Sequence, residues 1–273
     1  MTTPTPPPGP SPGSTPAPGP ARSTGWPSAS ASGLSRKDLE RAEREQLFLD
    51  VARELLLERG YLGLTMDRIA ERTPFSKGTV YQHFPNKEDV LAALNQRTSR
   101  IHLELFERAS TFRGRPRERM CAIGMAHDLW MRTYPDDVAA CQIVRHASIG
   151  AKITPERAKE LERMDDGCFA ICEGIVRDGV ASGDLQLEGG DPRQVGHGLW
   201  SLAQGAYQLQ DMDFELHKMG VPADVGPLVI RHQHALLDGY GWRPLFNEWD
   251  WEQTYVRIGE ELFSEELARL HRD

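Results

Sequence analysis

The chain has 273 residues, and its 40 Asp and Glu against 32 Lys and Arg give a formal net charge of −8. An acidic total of this size argues against nonspecific binding of nucleic acid by the whole surface, but it leaves room for a local phosphate-binding face. The four cysteines, at positions 121, 141, 168 and 172, do not form the disulfide pattern of a small secreted domain.

The N-terminal segment differs in composition from the rest of the chain. Residues 1–33 contain 10 of the 19 prolines and almost no large apolar side chain. Such a segment buries too little surface to offset its ordering entropy, so we expect residues 1–34 to form a disordered arm. The arm lacks the apolar region of a signal peptide, and no later stretch approaches the ~18 apolar residues of a membrane span. We therefore expect a soluble cytoplasmic protein with no membrane partner.

Charge is distributed unevenly after the arm. Residues 34–100 carry 12 Lys and Arg against 11 Asp and Glu, whereas residues 101–273 carry 19 against 29. This difference predicts a domain boundary near residue 100, between a domain at residues 35–101 and a larger one at residues 102–273.

Helical patterns begin at Ser35. The first helix carries an apolar stripe from Phe48 to Leu56, and Gly60 stands where a left-handed C-terminal cap is expected. Thr65 is a good N-cap for a second helix, and the Thr73-Pro74-Phe75 segment ends it because the residue before a proline avoids the helical region.

A third and a fourth helix follow at short intervals. Ser76 caps the third, which runs to Phe84, and Asn86 with Asp89 starts the fourth, which we expect to extend to about residue 107. Amphipathic stripes then predict helices over residues 117–134, 155–182, 192–210, 224–239 and 252–270. No alternating pattern is long enough for a strand, so the sequence predicts an all-α protein.

The stretch TMDRIAERTPFSKGTVYQHFPNKEDV, residues 65–90, places two short helices around a tight turn, and the second helix is polar at its start. This is the helix-turn-helix arrangement, in which the second helix enters the major groove of DNA. Gly78 lets the backbone approach the DNA closely. The side chains that offer donors to phosphate are Thr65, Ser76, Lys77, Thr79, Tyr81, His83 and Lys87. Taken singly, several of them are equally well explained as helix caps or core residues; as an ordered set they favour DNA binding.

The segments LERGYLGLTMDRIAERT and SKGTVYQHFPNKEDVLAAL resemble the DNA-binding domain of the TetR/AcrR family of bacterial transcriptional regulators, from about Arg44 to Ile101. The resemblance implies an N-terminal three-helix helix-turn-helix domain followed by a larger helical domain for effector binding and dimerisation. One departure is the turn, because Thr73-Pro74-Phe75 replaces the family's usual Ala-Gly-Val. Proline cannot adopt the positive φ of glycine, so the recognition helix is expected to be slightly re-aimed.

The resemblance also assigns roles to individual residues. It implies that Thr65, Tyr81, His83 and Lys87 reach phosphates, and that Lys77, Gly78 and Thr79 face bases and backbone at the start of the recognition helix. It implies a homodimer in the bacterial cytosol, associated with the nucleoid, that acts as a repressor and leaves a palindromic double-stranded DNA operator when a small molecule binds. The alternative is an architectural or protein-partnered DNA-binding factor that has no small-molecule effector.

A pocket in the larger domain would distinguish these two functions. Polar and aromatic side chains at helical spacing make residues 102–215 the place to expect it, although a satisfied core histidine is the ordinary interpretation of each imidazole. The candidate lining predicts a mostly apolar or aromatic effector. Its members are Met125, His127, Trp130, Met131, Tyr134, Phe169, His197, Trp200 and Tyr207.

Other constellations give weaker signals. His232 and His234 point about 200° apart on a helix, so they do not grip one metal ion. Cys168 and Cys172 share a helix face, where either a thiol sensor or ordinary core packing is possible. We find no nucleophile motif, phosphate loop or metal-ligand spacing, and we expect neither catalysis nor a metal nor a cofactor.

Two further expectations concern assembly and switching. The helices at 192–210 and 224–239 carry apolar stripes, and Gly196, Gly198 and Gly205 permit close approach, so we expect them to form a four-helix dimer interface. The fourth helix runs from the DNA-binding domain into the larger one, and we expect it to act as a lever between effector and DNA.

Overall fold

The computed structural model describes residues 35–144, 150–187, 189–211, 218 and 220–270, so the predicted arm at residues 1–34 lies outside the described residues. The helices are α1 (Arg36–Gly63), α2 (Met66–Glu71), α3 (Lys77–His83), α4 (Lys87–Ser110), α5 (Pro116–Thr133), α6 (Pro135–Val144), α7 (Pro155–Ala181), α8 (Pro192–Asp211), α9 (Gly226–Gly239), α10 (Trp251–Leu262) and α11 (Ser264–Leu270). These residues contain no strand, and the predicted all-α class is confirmed. Among them, no helix combines the length and apolar character needed to cross a bilayer.

The predicted caps of the short helices are present. The Thr65 side chain accepts a hydrogen bond from the backbone N–H of Arg68, and the Ser76 side chain accepts one from Thr79. Asn86 does the same for Asp89 at the start of α4. Each cap satisfies a backbone donor that a helix N-terminus leaves without an intrahelical partner, which fixes where these helices begin.

A small apolar core holds the first helices together. Phe48 of α1 is fully buried and meets the edge of Phe75 at a ring-centroid distance of 5.5 Å. Ile69, Val80 and Phe84 are fully buried in the same cluster. Since Phe75 belongs to the unusual turn, the third turn residue is anchored by packing on α1.

Two helix ends differ from their predicted positions. Gly60 has the expected positive φ of 64°, but the chain resumes helical turns after it and α1 continues to Gly63. The single helix predicted over residues 252–270 is wrong, because it breaks at Phe263, whose φ of −130° is not helical. The Phe263 side chain is fully buried, so packing fixes the break.

Long helices surround α4 in the larger part of the chain. Helix α4 packs against α5, α6 and α7, and α8 packs between α7 and α9. Gly167 of α7 brings the two longest of these helices together, because a Cβ there would lie 3.0 Å from a methyl group of Leu103 on α4. The described residues from Glu43 onward form one compact unit, to which residues 35–42 do not belong.

A buried arginine ties α5 to α9 and the loop after it. Arg117 is fully buried and donates to the backbone carbonyls of Trp242 and His234 and, at 2.6 Å, to Asp238. Asp238 also accepts from the backbone N–H of Phe246 at 3.0 Å. A buried guanidinium is stabilising only while its hydrogen bonds are made, so this arginine makes the geometry of the α9 end specific.

We expect Arg117→Leu to lower the free energy of unfolding by about 3 kcal/mol, because it leaves two buried carbonyls and Asp238 without their donor. The control is Arg119→Leu on the same helix, whose ion pair with Asp178 is solvent-accessible and should contribute less than ~1 kcal/mol. Urea denaturation followed by far-UV circular dichroism, at matched protein concentration, measures both. Equal losses in the two variants would contradict the role of Arg117.

Candidate DNA-binding face and an internal cavity

The start of α3 presents small polar groups on its surface. The hydroxyl oxygens of Ser76 and Thr79 lie 3.0 Å apart, and Lys77 Nζ lies 2.5 Å from Asp67 Oδ1 of α2. Gly78 has open space beside it, since an added Cβ would meet only Ser76 Oγ at 3.7 Å. The helix start is therefore uncrowded, and its one lysine is held against α2 by a carboxylate.

A shallow groove runs from this helix start to the first turn of α4. Tyr81 is 45% exposed beside it. Lys87 also lies there, but its Nζ donates to the Tyr61 carbonyl at 3.1 Å and sits 3.9 Å from the centroid of the Tyr61 ring. The groove is lined by Thr65, Met66, Asp67, Lys77, Tyr81, Pro85, Asn86, Lys87 and Glu88. Four of the predicted DNA-binding residues thus share one surface: Thr65, Lys77, Tyr81 and Lys87.

His83 is placed differently from the other predicted phosphate-binding residues. Its side chain is 4% exposed, with Nδ1 3.6 Å from a carboxylate oxygen of Glu45. The imidazole also packs on Phe48 at a centroid distance of 5.2 Å. In this conformation the side chain faces the core of the domain and does not reach the surface groove.

Asp89, in the first turn of α4, binds the start of α7. It is 1% exposed. One of its oxygens accepts from the backbone N–H of Thr154 at 3.0 Å and from the Thr154 hydroxyl at 2.8 Å, and the other accepts from Arg157 Nε at 2.9 Å. This carboxylate joins the α4 N-terminus, directly after the recognition helix, to the α7 N-terminus.

Arg157 extends the same network to α1. Its two terminal nitrogens donate to Gln96 of α4 at 2.8 Å and to Glu45 of α1 at 3.0 Å. The guanidinium carbon also lies 5.1 Å from the ring centroid of Phe84, which follows α3. We call Arg157 and its partners Asp89, Gln96 and Glu45 the Arg157 node. The node connects α7 to three parts of the DNA-binding segment.

An internal cavity of about 130 Å³ is lined by residues of the helices α4 to α10. Most of its lining is apolar, and no Lys or Arg of the described ranges contributes to it. Asp165 is the carboxylate in its wall. The lining consists of Ser99, His102, Phe106, Met120, Cys121, Ile123, Gly124, His127, Trp130, Val138, Cys141, Asp165, Cys168, Phe169, Cys172, Gly196, Leu199, Trp200, Ala203, Gln204, Gln233, His234, Leu237 and Tyr255.

The structure brings together four of the nine residues predicted to bind a ligand, namely His127, Trp130, Phe169 and Trp200. The other five lie outside the cavity wall. Met131 and Tyr207 are buried elsewhere, with the Tyr207 hydroxyl donating to Asp128, and His197 is exposed on α8 near Ser201. Met125 and Tyr134 are half-buried and do not line the cavity either.

Sequence reasoning missed the α4 side of this cavity. His102 points from α4 into the wall, with its ring stacked on Trp130 at a centroid distance of 4.2 Å. Its Nε2 lies 3.0 Å from His127 Nδ1, and its Nδ1 lies 3.9 Å from the sulfur of Cys168. Ser99, His102 and Phe106 are spaced to share one face of a helix, and this spacing could have predicted the α4 side of the cavity.

All four cysteines line this cavity. The predicted pair Cys168 and Cys172 does share a face of α7, one turn apart. Burial raises the pKa of the Cys121 and Cys172 thiols to about 12, so both stay protonated and poorly nucleophilic. The side chains of Cys121 and Cys172 therefore behave as apolar parts of the cavity wall.

Residues 48–94 match the family model described as "Bacterial regulatory proteins, tetR family". A "Fatty acid metabolism regulator protein" of Bacillus subtilis (strain 168) is 25% identical over 146 residues, which are 53% of this chain and 72% of that protein. The "HTH-type transcriptional activator FasR" of Mycolicibacterium smegmatis is 42% identical over 59 residues, 22% of this chain and 27% of that one. The crystal structure of a TetR/AcrR-family transcriptional regulator from Thermobifida fusca superposes with a TM-score of 0.55 at 28% identity, covering 72% of this chain and 98% of the other. The resemblance read from the sequence is confirmed.

We expect Lys77→Ala and Tyr81→Phe to weaken operator binding without changing helical content, because each removes a donor from the exposed start of the recognition helix. Lys77→Ala should also reduce the slope of log affinity against log salt by about 1, the contribution of one phosphate contact. Arg177→Ala removes the same charge from the far end of α7 and serves as the control. Affinity and salt slope come from fluorescence anisotropy. Unchanged affinity in both α3 variants at matched salt would contradict the assignment.

Proposed function

We propose that this chain, whose residues 48–94 match the tetR family model, is a transcriptional repressor that binds a two-fold-symmetric operator and releases it when a small molecule fills the internal cavity. The observation that carries the proposal is the position of this cavity. Two of its walls, α4 and α7, are the helices whose first turns meet at the Arg157 node beside the recognition helix. A molecule that changes the spacing of these walls acts on helices that hold the DNA-binding segment.

The cavity favours an effector over the architectural alternative. A factor without an effector has no need of a mostly apolar internal space lined by aromatic rings. Phe169 and Trp200 pack edge to face at a centroid distance of 5.9 Å, and Phe169 is 38% exposed, so this pair lies at the solvent side of the wall. We propose this pair as the place where the effector enters.

The names of the relatives suggest which genes are regulated. One relative is named as a regulator of fatty acid metabolism, and it matches over a length that includes more than the DNA-binding segment. We propose that the operator of this chain controls genes of fatty acid metabolism. The name of this relative does not say whether it represses or activates, so the proposal of repression does not rest on it.

We further propose that α8 and α9 form a dimer interface with a second copy of the chain. Within the protomer these helices already pack closely, since a Cβ at Gly198 would lie 3.3 Å from a methyl group of Leu236. Gly196 faces inward instead, towards Cys172 of α7 at 3.5 Å. Gly205 and Gly239 have nothing within 4 Å of an added Cβ, which leaves room for close approach by a partner helix. In a dimer formed through α8 and α9, the two recognition helices would reach successive major grooves about 34–36 Å apart.

We expect Gly205→Glu to give a monomer that loses operator affinity, because a charged side chain would be buried where the two copies meet. The control is Gly174→Glu on α7, another helical glycine with nothing within 4 Å of an added Cβ. Sedimentation velocity at micromolar concentration and operator binding are measured on both. An unmodified protein that sediments as a monomer, or a dimeric Gly205→Glu variant, would refute this interface.

Footprinting on DNA that flanks the protein's own gene, with and without candidate effectors, tests the function as a whole. Trp200→Ala and Phe169→Ala should bind the operator as the unmodified protein does, yet need more effector for release, because they enlarge the cavity and remove ring contacts. His197→Ala, outside the cavity wall, is the control. Release at an unchanged effector concentration in both ring variants would refute the assignment of the cavity.

A further inference from the structure

We infer that the effector is an uncharged, largely apolar carbonyl compound, such as an ester or a ketone, whose oxygen is hydrogen-bonded inside the cavity by His234 and His127. The inference rests on the proposed function, since it specifies the chemistry of the molecule that fills the proposed effector cavity. Two observations carry it: two buried imidazoles line the cavity, and the described wall contains a carboxylate but no Lys or Arg.

His234 presents a hydrogen-bond donor that has no acceptor. The residue is 1% exposed and lines the cavity, and its Nε2 has no hydrogen-bond partner. Its Nδ1 lies 3.4 Å from a terminal nitrogen of Arg117. A guanidinium only donates, so Nδ1 accepts and the ring hydrogen resides on Nε2. Aromatic rings surround the imidazole, the nearest being that of Phe246 at 4.7 Å between centroids.

His127 supplies a second polar atom in the same cavity. It is 6% exposed, and its Nε2 likewise has no partner. Its Nδ1 and His102 Nε2 lie 3.0 Å apart and share one hydrogen. In the proposed site, His102 adopts the tautomer whose Nδ1 accepts from the Cys168 thiol, 3.9 Å away, and whose Nε2 donates to His127 Nδ1, so that His127 Nε2 carries a hydrogen and donates. Leaving a buried polar atom unpaired is costly, and a ligand oxygen that accepts from these rings removes that cost.

Both imidazoles are uncharged at neutral pH. Burial lowers the pKa of His127 to about 4, and burial together with the charge of Arg117 lowers the pKa of His234 to about 4. At pH 7 both rings are therefore neutral, so neither is a ready counter-ion for an anion.

Among the described residues, the wall offers an anion no cationic side chain either. Its described residues include no Lys or Arg, and Asp165 would repel a carboxylate. Arg117 is near His234, but its two terminal nitrogens are bonded to two backbone carbonyls and Asp238, and the residue does not line the cavity. An ionised carboxylate or phosphate would lose its hydration without gaining a counter-charge, whereas a neutral carbonyl needs only a hydrogen-bond donor.

Three probes of equal chain length separate the contributions: decanoate, methyl decanoate and decane. Binding to the full chain is measured at pH 7.5 by quenching of tryptophan fluorescence and by calorimetry. We expect methyl decanoate to bind at least ten-fold more tightly than decanoate and more tightly than decane. Equal or tighter binding of decanoate overturns the inference. So does the failure of every ester in a series from hexanoate to tetradecanoate to bind.

Substitution of one ring isolates the hydrogen bond. His127→Phe keeps an aromatic ring in the wall, so decane affinity should change by less than about three-fold while the preference for methyl decanoate over decane falls several-fold. His197→Phe, the same change on the exposed face of α8, should alter neither. An ester preference that survives His127→Phe unchanged overturns the role of this ring.

Operator release is measured separately. Ester binding with the expected preference but without any loss of operator affinity would contradict the proposed function and leave the ligand chemistry standing.

Discussion

Arg157 is the constraint on which the relation between cavity and DNA-binding segment depends. Its guanidinium reaches a carboxylate on α4, an amide on α4 and a carboxylate on α1, with the ring of Phe84 against its face. A planar group with five donors can hold three partners in fixed directions, which a lysine ammonium cannot do with the same geometry. The α7 N-terminus therefore has one arrangement relative to α1 and α4 in which all of these bonds are made.

This constraint gives α7 a part equal to that of α4 in the proposed coupling of effector and DNA. The sequence suggested α4 as the lever, because that helix begins at the DNA-binding face and ends in the larger domain. The structure adds that α7 also starts at this face, through Thr154 and Arg157, and contributes Asp165, Cys168 and Cys172 to the cavity wall. Gly167 lets the two helices touch at Leu103 between these points. In the proposed switch, a ligand that spreads the walls would pivot α4 and α7 about this close contact, since packed interfaces respond to such stress by shifting between discrete arrangements.

The parts that the sequence predicted are those fixed by local interactions. Caps at Thr65, Ser76 and Asn86 were predicted because a side chain and a backbone N–H three residues away decide them. The cavity was predicted only in part, because its lining depends on how long helices are rotated against one another. His197 and Trp200 share a stripe of α8 in the sequence, yet Trp200 lines the cavity and His197 is exposed. His102 and His234 were missed as lining residues, since neither α4 nor α9 was considered as part of the wall.

Polar atoms without partners in an apolar cavity lower the stability of the empty state, at roughly 1–3 kcal/mol for each buried group. Natural cores avoid such atoms, and their presence on two residues that line one cavity supports the proposed ligand site. His234 is held in its tautomer by Arg117, and Arg117 in turn is held by the loop after α9, so the donor is positioned before any ligand arrives. A preorganised donor gains affinity because the protein need not be ordered on binding. In the proposed site, the same buried arginine that fixes the end of α9 thereby also orients the hydrogen-bond donor of His234.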